Sequence, residues 1–233
     1  MAPGPSGALR GAASGADGLA EDTPGGPLSI LKIARIGHPV LRQVAAPVSP
    51  EALASDELQR LIRDMLETVE AADGAGLAAP QVHQSVRVVV LQVDRSRGME
   101  VWINPELTPT SDELIGSYEG CLSVPGLRGL VARPAGVRVT ALAPDGSPIA
   151  LELQGFPAIV AQHECDHLDG VVYIDKVEPK TLGFVEELRR FPPAAGDDEE
   201  EGEDDTDAPE GDVLGDDEDL VVEEIILEDT AEA

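Results

Sequence analysis

Between Ser55 and Ala72 the apolar residues Leu58, Leu61, Ile62, Met65, Leu66 and Val69 recur at helical spacing, with Asp56 and Glu57 in what would be the first turn. Acidic groups there face the positive end of the helix, so the segment predicts an amphipathic helix packed on a core. The pattern changes at Val86–Val93, which is β-branched and nearly all apolar. That is the signature of a strand covered on both faces. A further strand is predicted to begin across Val101–Asn104, and Val137–Leu142 with Ile149–Leu153 flank the turn sequence Pro144-Asp145-Gly146-Ser147 as a hairpin. Another helix should open near Phe156 or Pro157 and close at Gly170, and a last one should run from Pro179 to Arg190, with Arg189 and Arg190 at its negative end. Helices and strands do not alternate regularly. The expected architecture is therefore α+β, with antiparallel strands packed around a central helix.

Charge divides the chain. Of the overall −29, the stretch from Asp197 to Ala233 carries −20 and residues 1–196 carry −9, and no Lys or Arg follows Arg190. A like-charge run without aromatic anchors is expected to be disordered and self-repelling, and to have no nucleic-acid partner. Its apolar patch Leu220–Leu227 is compatible with a short edge strand, but the surrounding charge favours a disordered extension. The first 27 residues are rich in Gly, Ala, Pro and Ser and are also expected to be disordered. They show no apolar signal core, and a single Arg10 against Asp17, Glu21 and Asp22 gives little support to an organellar address. With no run of residues apolar enough to span a membrane, a soluble cytoplasmic protein is the expectation. The predicted organisation is residues 1–27 as an N-terminal extension, 28–192 as one catalytic domain and 193–233 as an acidic tail. The middle part is long enough to bury roughly 70% of its unfolded surface.

The chemistry concentrates in Gln162-His163-Glu164-Cys165-Asp166-His167-Leu168. Residues four apart differ by about 40° around a helix, so His163 and His167 share a face and form a metal clamp. Glu164 lies where a general base can hold a water without ligating. The third ligand is not fixed by this motif. Where one protease class places another His, this chain has Tyr173, which leaves a downstream carboxylate such as Glu178 or a ligand from elsewhere. The thiol of Cys121, in Glu119-Gly120-Cys121-Leu122-Ser123, is one such ligand. Two imidazoles and a thiolate leave a position open for water, as catalytic sites do. Cys165 is two positions from His163, on another helix face, and reads as packing. His38 and His83 lack metal spacing.

Three blocks together resemble the peptide deformylases: Gly74-Ala75-Gly76-Leu77-Ala78-Ala79-Pro80-Gln81, the Cys121 block, and the His163 block. The likeness extends from about Ile30 to Arg190. It implies removal of the formyl group from N-terminal formyl-methionine on nascent polypeptides, hence action near the ribosome. It implies one divalent metal, Fe(II), with Zn or Ni as substitutes, on Cys121, His163 and His167. Glu164 would carry the proton, and the Gln81 amide and the Leu122 backbone N–H would stabilise the oxyanion. The backbone of Ala75 to Leu77 would pair with the peptide as an added strand, with Gly74 and Gly76 permitting close approach. Gly120, Ile159 and Val160 would line the methionine pocket, and Arg128 would lie near the substrate backbone. Glu119 and Arg133 resemble the family's structural ion pair. The competing expectations are a zinc endopeptidase using Glu178 as third ligand, and an inactive metal-binding interaction module.

Overall fold

Ser55 stops the preceding turn and starts the first long helix, because its Oγ accepts the backbone N–H of Leu58 at 3.2 Å. In the computed structural model, which describes residues 29–94 and 96–193 together with the backbone of 225–226, a short helix α1 (Pro50–Leu53) precedes this helix, α2 (Asp56–Ala71). Leu58, Ile62, Met65 and Val69 form the buried stripe of α2. The N-terminal extension and nearly all of the acidic tail lie outside the described residues.

Two antiparallel sheets hold the rest. The first runs β1 (Gly76–Ala78), β2 (Val88–Asp94), β3 (Gly98–Pro109), β6 (Gly136–Leu142) and β7 (Pro148–Gln154) in that spatial order. β2 is buried on both faces, as its composition predicts. Val88 and Val90 pack towards α2 with Met65 and Val69, while Val89 and Leu91 pack on the opposite side with Trp102, Ala158, Ala161 and Leu168. The β6–β7 hairpin closes through Asp145, whose carboxylate accepts the Ser147 N–H at 2.9 Å, and through Gly146 at φ +83°.

The second sheet is ordered β8 (Gly183–Phe184), β5 (Val124–Pro134), β4 (Leu114–Cys121) and β9 (Ile225–Ile226). In β9, Ile226 stands opposite Ile115 and Ile225 opposite Gly116, so these two residues of the tail's apolar patch form an edge strand. The helix expected from Pro179 to Arg190 is shorter. Only α4 (Val185–Arg190) is helical, because Thr181 turns the chain, accepting the Leu130 N–H at 2.8 Å, and Gly183–Phe184 pairs with β5.

Between the sheets lies α3 (Phe156–Leu168), in contact with β1 and β2 of the first and with β5 of the second. Pro157 sits in its first turn, where a missing N–H costs nothing. Past its end, Gly170 takes φ +74°, and a Cβ there would lie 2.8 Å from the Arg42 carbonyl carbon. This helix carries the His-Glu-x-x-His motif through the middle of the fold.

Candidate metal and catalytic site

β4 delivers Cys121 as its last residue, at a shift in register against β5. From α3, His163 and His167 reach the same point. One donor atom from each of the three side chains lies within 4.8 Å of the others, and Cys121 Sγ is 3.2 Å from His167 Nε2. Glu178, the alternative third ligand, is exposed and takes no part in this cluster. Among the described residues it is therefore Cys121, and not Glu178, that stands with the two imidazoles.

Buried charges hold the cluster in place. His163 Nδ1 lies 2.8 Å from Glu119 Oε2, which leaves Nε2 as the donor to an ion. Both oxygens of Glu119 are taken by the Arg133 guanidinium, whose Nη1 also donates to Asp166 at 2.9 Å. Burial works against the Glu119 carboxylate, yet Arg133 and His163 outweigh it and hold the group below the usual carboxylate range. Burial likewise opposes charge on His163, but Cys121, Glu119 and Glu164 overcome it and push the ring up to about 10. Burial, reinforced by the charges of His163, Arg133 and Arg42, keeps His167 well below the ordinary histidine value, hence neutral and ready to ligate.

Glu164 is buried beside the donors, and its Oε2 has no hydrogen-bond partner. Burial pushes its carboxyl up to about 7, against the opposing pull of His163 and Arg133. Gln81 sits in a 3-10 turn after β1, its Oε1 accepting the Ala78 N–H at 2.8 Å and its Nε2 donating to Ser123 Oγ at 3.2 Å. The same Nε2 is 3.5 Å from Cys121 Sγ, so the amide is fixed at the cluster. Leu122 follows Cys121 directly, and its Cδ1 would lie 3.0 Å from a Cβ at Gly74. A Cβ at Gly76 would strike Glu164. Both glycines therefore leave room for neighbouring side chains, Leu122 at Gly74 and Glu164 at Gly76, a use that the sequence does not disclose beside conformational freedom and the approach of a substrate.

Ala75 and Leu77 belong to or adjoin β1, the edge strand of its sheet, with Ala75 O accepting from Gln92 N on the inner side. Arg128 stands opposite Gly120 across β4 and β5 and lies over it, its Cγ and Nε 3.3 Å from where a Gly120 Cβ would be. Ile159 and Val160 are both buried, and Val160 belongs to the main core. Cys165 is a free, buried thiol that burial pushes upward in pKa, consistent with packing. Two participants escape sequence reasoning. Ser123 is fully buried as the Gln81 acceptor, and Asp166 anchors Arg133 and also accepts from Lys176 Nζ at 2.8 Å. Both stand inside the motif blocks, but neither a serine after the thiol nor an acid between the two imidazoles shows from spacing which side chain it will meet.

The residues fit a divalent cation: a thiol and two imidazoles converge, a carboxylate fixes the far nitrogen of one ring, and an unpartnered buried carboxylate oxygen lies next to them. Residues 30–182 match the family model described as polypeptide deformylase. The peptide deformylase of Leptospira biflexa (strain Patoc 1 / Ames) is 40% identical over 171 residues, spanning 69% of this chain and 96% of that protein. Peptide deformylase 1 of Prochlorococcus marinus (strain MIT 9313) is 45% identical over 172 residues, 69% of this chain and 88% of that one. Among solved structures, the Met-Ala-Ser-bound class I type b peptide deformylase from Acinetobacter baumannii superposes with a TM-score of 0.59 at 37% identity, covering 64% of this chain and 98% of its own. The matched residues contain all three motif blocks and every side chain of the cluster, and the chain belongs to the peptide deformylase family.

Proposed function

We propose that residues 28–192 form the catalytic unit of a peptide deformylase that releases formate from the formyl-methionine end of nascent polypeptides, with the roles assigned below. The observation that carries the assignment is the convergence of Cys121, His163 and His167 beside a buried Glu164 without a partner for Oε2. Cys121, His163 and His167 would hold a divalent cation, which when bound would supply Lewis acidity towards water and the formyl oxygen. Glu164 takes the proton of the attacking water and returns it to the amine nitrogen as the C–N bond breaks. Burial favours uptake of a proton by this carboxyl, the first half of that task. Gln81 Nε2 and the Leu122 N–H donate to the formyl oxygen as charge develops on it. Because Gln81 is already held by Ala78 and Ser123, its donation needs little reorganisation.

The peptide adds as a strand to the open edge of β1 at Ala75–Leu77. Gly120, Ile159 and Val160 bound the methionine pocket, and Arg128 lies alongside the peptide backbone. The peptide bound by the Acinetobacter baumannii relative begins with methionine, which supports this class of ligand. Thiolate with imidazole accepts Fe(II), Zn or Ni, and Fe(II) is the proposed native ion. Formylated chains exist where translation begins, so the proposed setting is the cytoplasm close to the ribosome. No helix among the described residues is long and apolar enough to cross a membrane.

The deciding experiment measures formate release from a formyl-Met peptide by anaerobically prepared protein and its Glu164→Gln variant. Stoichiometric metal in both, with turnover lower by orders of magnitude in the variant, is the expected result. Loss of metal together with turnover would make Glu164 a ligand and sink the assignment.

A further inference from the structure

β1 is three residues long and alternates its side chains between two helices. Leu77 enters the cluster with Met65 and Val69 of α2, whereas Ala78 joins Ala158, Ala161 and Leu168 of α3. Successive strand residues point to opposite faces, so Gly76 shares the α3 face with Ala78. There it meets Glu164. A Cβ built at position 76 would lie 2.5 Å from Oε1, 2.7 Å from Cγ and 2.8 Å from Cδ of that side chain. Such separations are well inside van der Waals contact, so a methyl group and the present Glu164 cannot coexist. Turn geometry does not explain the glycine, because Gly76 is not among the residues with positive φ. Its backbone is that of a strand, in register with Leu91 of β2.

The other half of the argument is what Glu164 lacks. Its Oε2 is buried without a hydrogen-bond partner, so no polar contact of the protein fixes that oxygen. Packing sets its direction. We propose that Gly76 is the positioning residue for Glu164: the missing side chain is the slot in which the stem and carboxylate of Glu164 lie. The slot aims the carboxylate at the ligand cluster. Small residues on both sides bring α3 close enough for this, Gly76 and Ala78 on the strand and Ala158 and Ala161 on the helix. A methyl group at position 76 would turn the carboxylate away or lift β1 from α3. The inference rests on the reading of Glu164 as proton carrier, but its geometric part does not.

The test is Gly76→Ala in the full chain, alone and combined with Glu164→Ala. Alone, it should keep metal and keep the Kd of the product peptide Met-Ala-Ser within a few-fold, while kcat falls about 100-fold, the scale of an ångström-level misplacement. Its Tm should fall by several degrees. In the Glu164→Ala background the three atoms that the methyl would strike are gone, and the Tm cost should vanish. That thermal cycle involves no turnover, so it stands or fails separately from the role of Glu164 in proton transfer. A Gly76→Ala protein with weaker Met-Ala-Ser binding and unchanged kcat would show that the glycine serves only the approach of the peptide. A Tm penalty that persists undiminished without Glu164 would show that the methyl meets something else. If Gly76→Ala alone does not fold, the double variant should fold, and its failure to do so would overturn the proposal.

Discussion

Glu119 does two things at once, and replacing it should cost the protein in two separable ways. Its carboxylate neutralises Arg133, and its Oε2 orients His163. The two side chains of the ion pair are 4% and 2% exposed, so Glu119→Met leaves a guanidinium out of water with only Asp166 as counter-charge. Breaking a buried pair on one side costs about 3–5 kcal/mol. For a domain of this size that corresponds to a fall in Tm of roughly 6–20 °C. The loss of the acceptor on His163 Nδ1 should separately weaken metal binding by about 10–100-fold. Adding Arg133→Met removes the stranded charge and fills the space with an apolar side chain. Most of the lost stability should return, because a buried pair replaced whole by apolar groups is close to neutral. The metal affinity should not return, since His163 still lacks its carboxylate. Thermal melts in chelator give the first quantity and competition titration with a divalent metal gives the second. A double variant that regains metal affinity with its stability would refute the orienting role of Glu119. A single variant melting within a degree or two of the parent would refute the buried-pair argument.

Cys121→Ala should strip or greatly weaken metal binding, whereas Cys165→Ala should leave metal content and turnover largely intact; metal analysis after gel filtration separates the two. Truncation after Pro193 removes twenty acidic residues and the two-residue β9, so it should leave metal content and turnover on a short neutral formyl-Met peptide nearly unchanged. With two paired residues contributing on the order of 1–2 kcal/mol, the melt should move only a few degrees, and failure of the truncated chain to fold would place the tail within the domain. The Arg42 hydrogen bond, joined by the Val172 N–H and outweighing burial, holds Asp175 below the usual carboxylate range. A depressed folded-state pKa gives stability that is complete above the ordinary aspartate value and is lost as pH falls through the folded value. Asp175→Asn should therefore lower the melt at neutral pH by a small amount, the pair being partly exposed, and the difference should shrink in strong acid. A difference that grew on acidification would contradict that sign.

How much of this was legible before the fold depends on which face of each element is apolar. α2 and β2 follow from the residues alone, because Met65 and Val69 or Val88 to Leu91 bury hydrocarbon and nothing else. The hairpin follows from Asp145 and Gly146. The second sheet does not announce itself, although β4 and β5 are among the longest strands. Its inward residues include Ser117, Glu119, Gly129 and Arg133 beside Ile115 and Val131, so polar residues occupy the face where a period-two pattern would look for hydrocarbon. The ion pair that supports His163 is therefore also what hides the strands that carry it. The same exchange explains the site. Ligands with a fixed spacing on one helix can be read from the chain, and the Cys121 block can be joined to them by resemblance. The slot at Gly76 cannot, because a glycine shows in sequence only that a side chain is missing. What the space is for depends on α3, some ninety residues later, bringing Glu164 into it. A structure that demands glycine for volume and one that demands it for positive φ read identically in sequence, and only the distance from an imagined Cβ to Glu164 separates them.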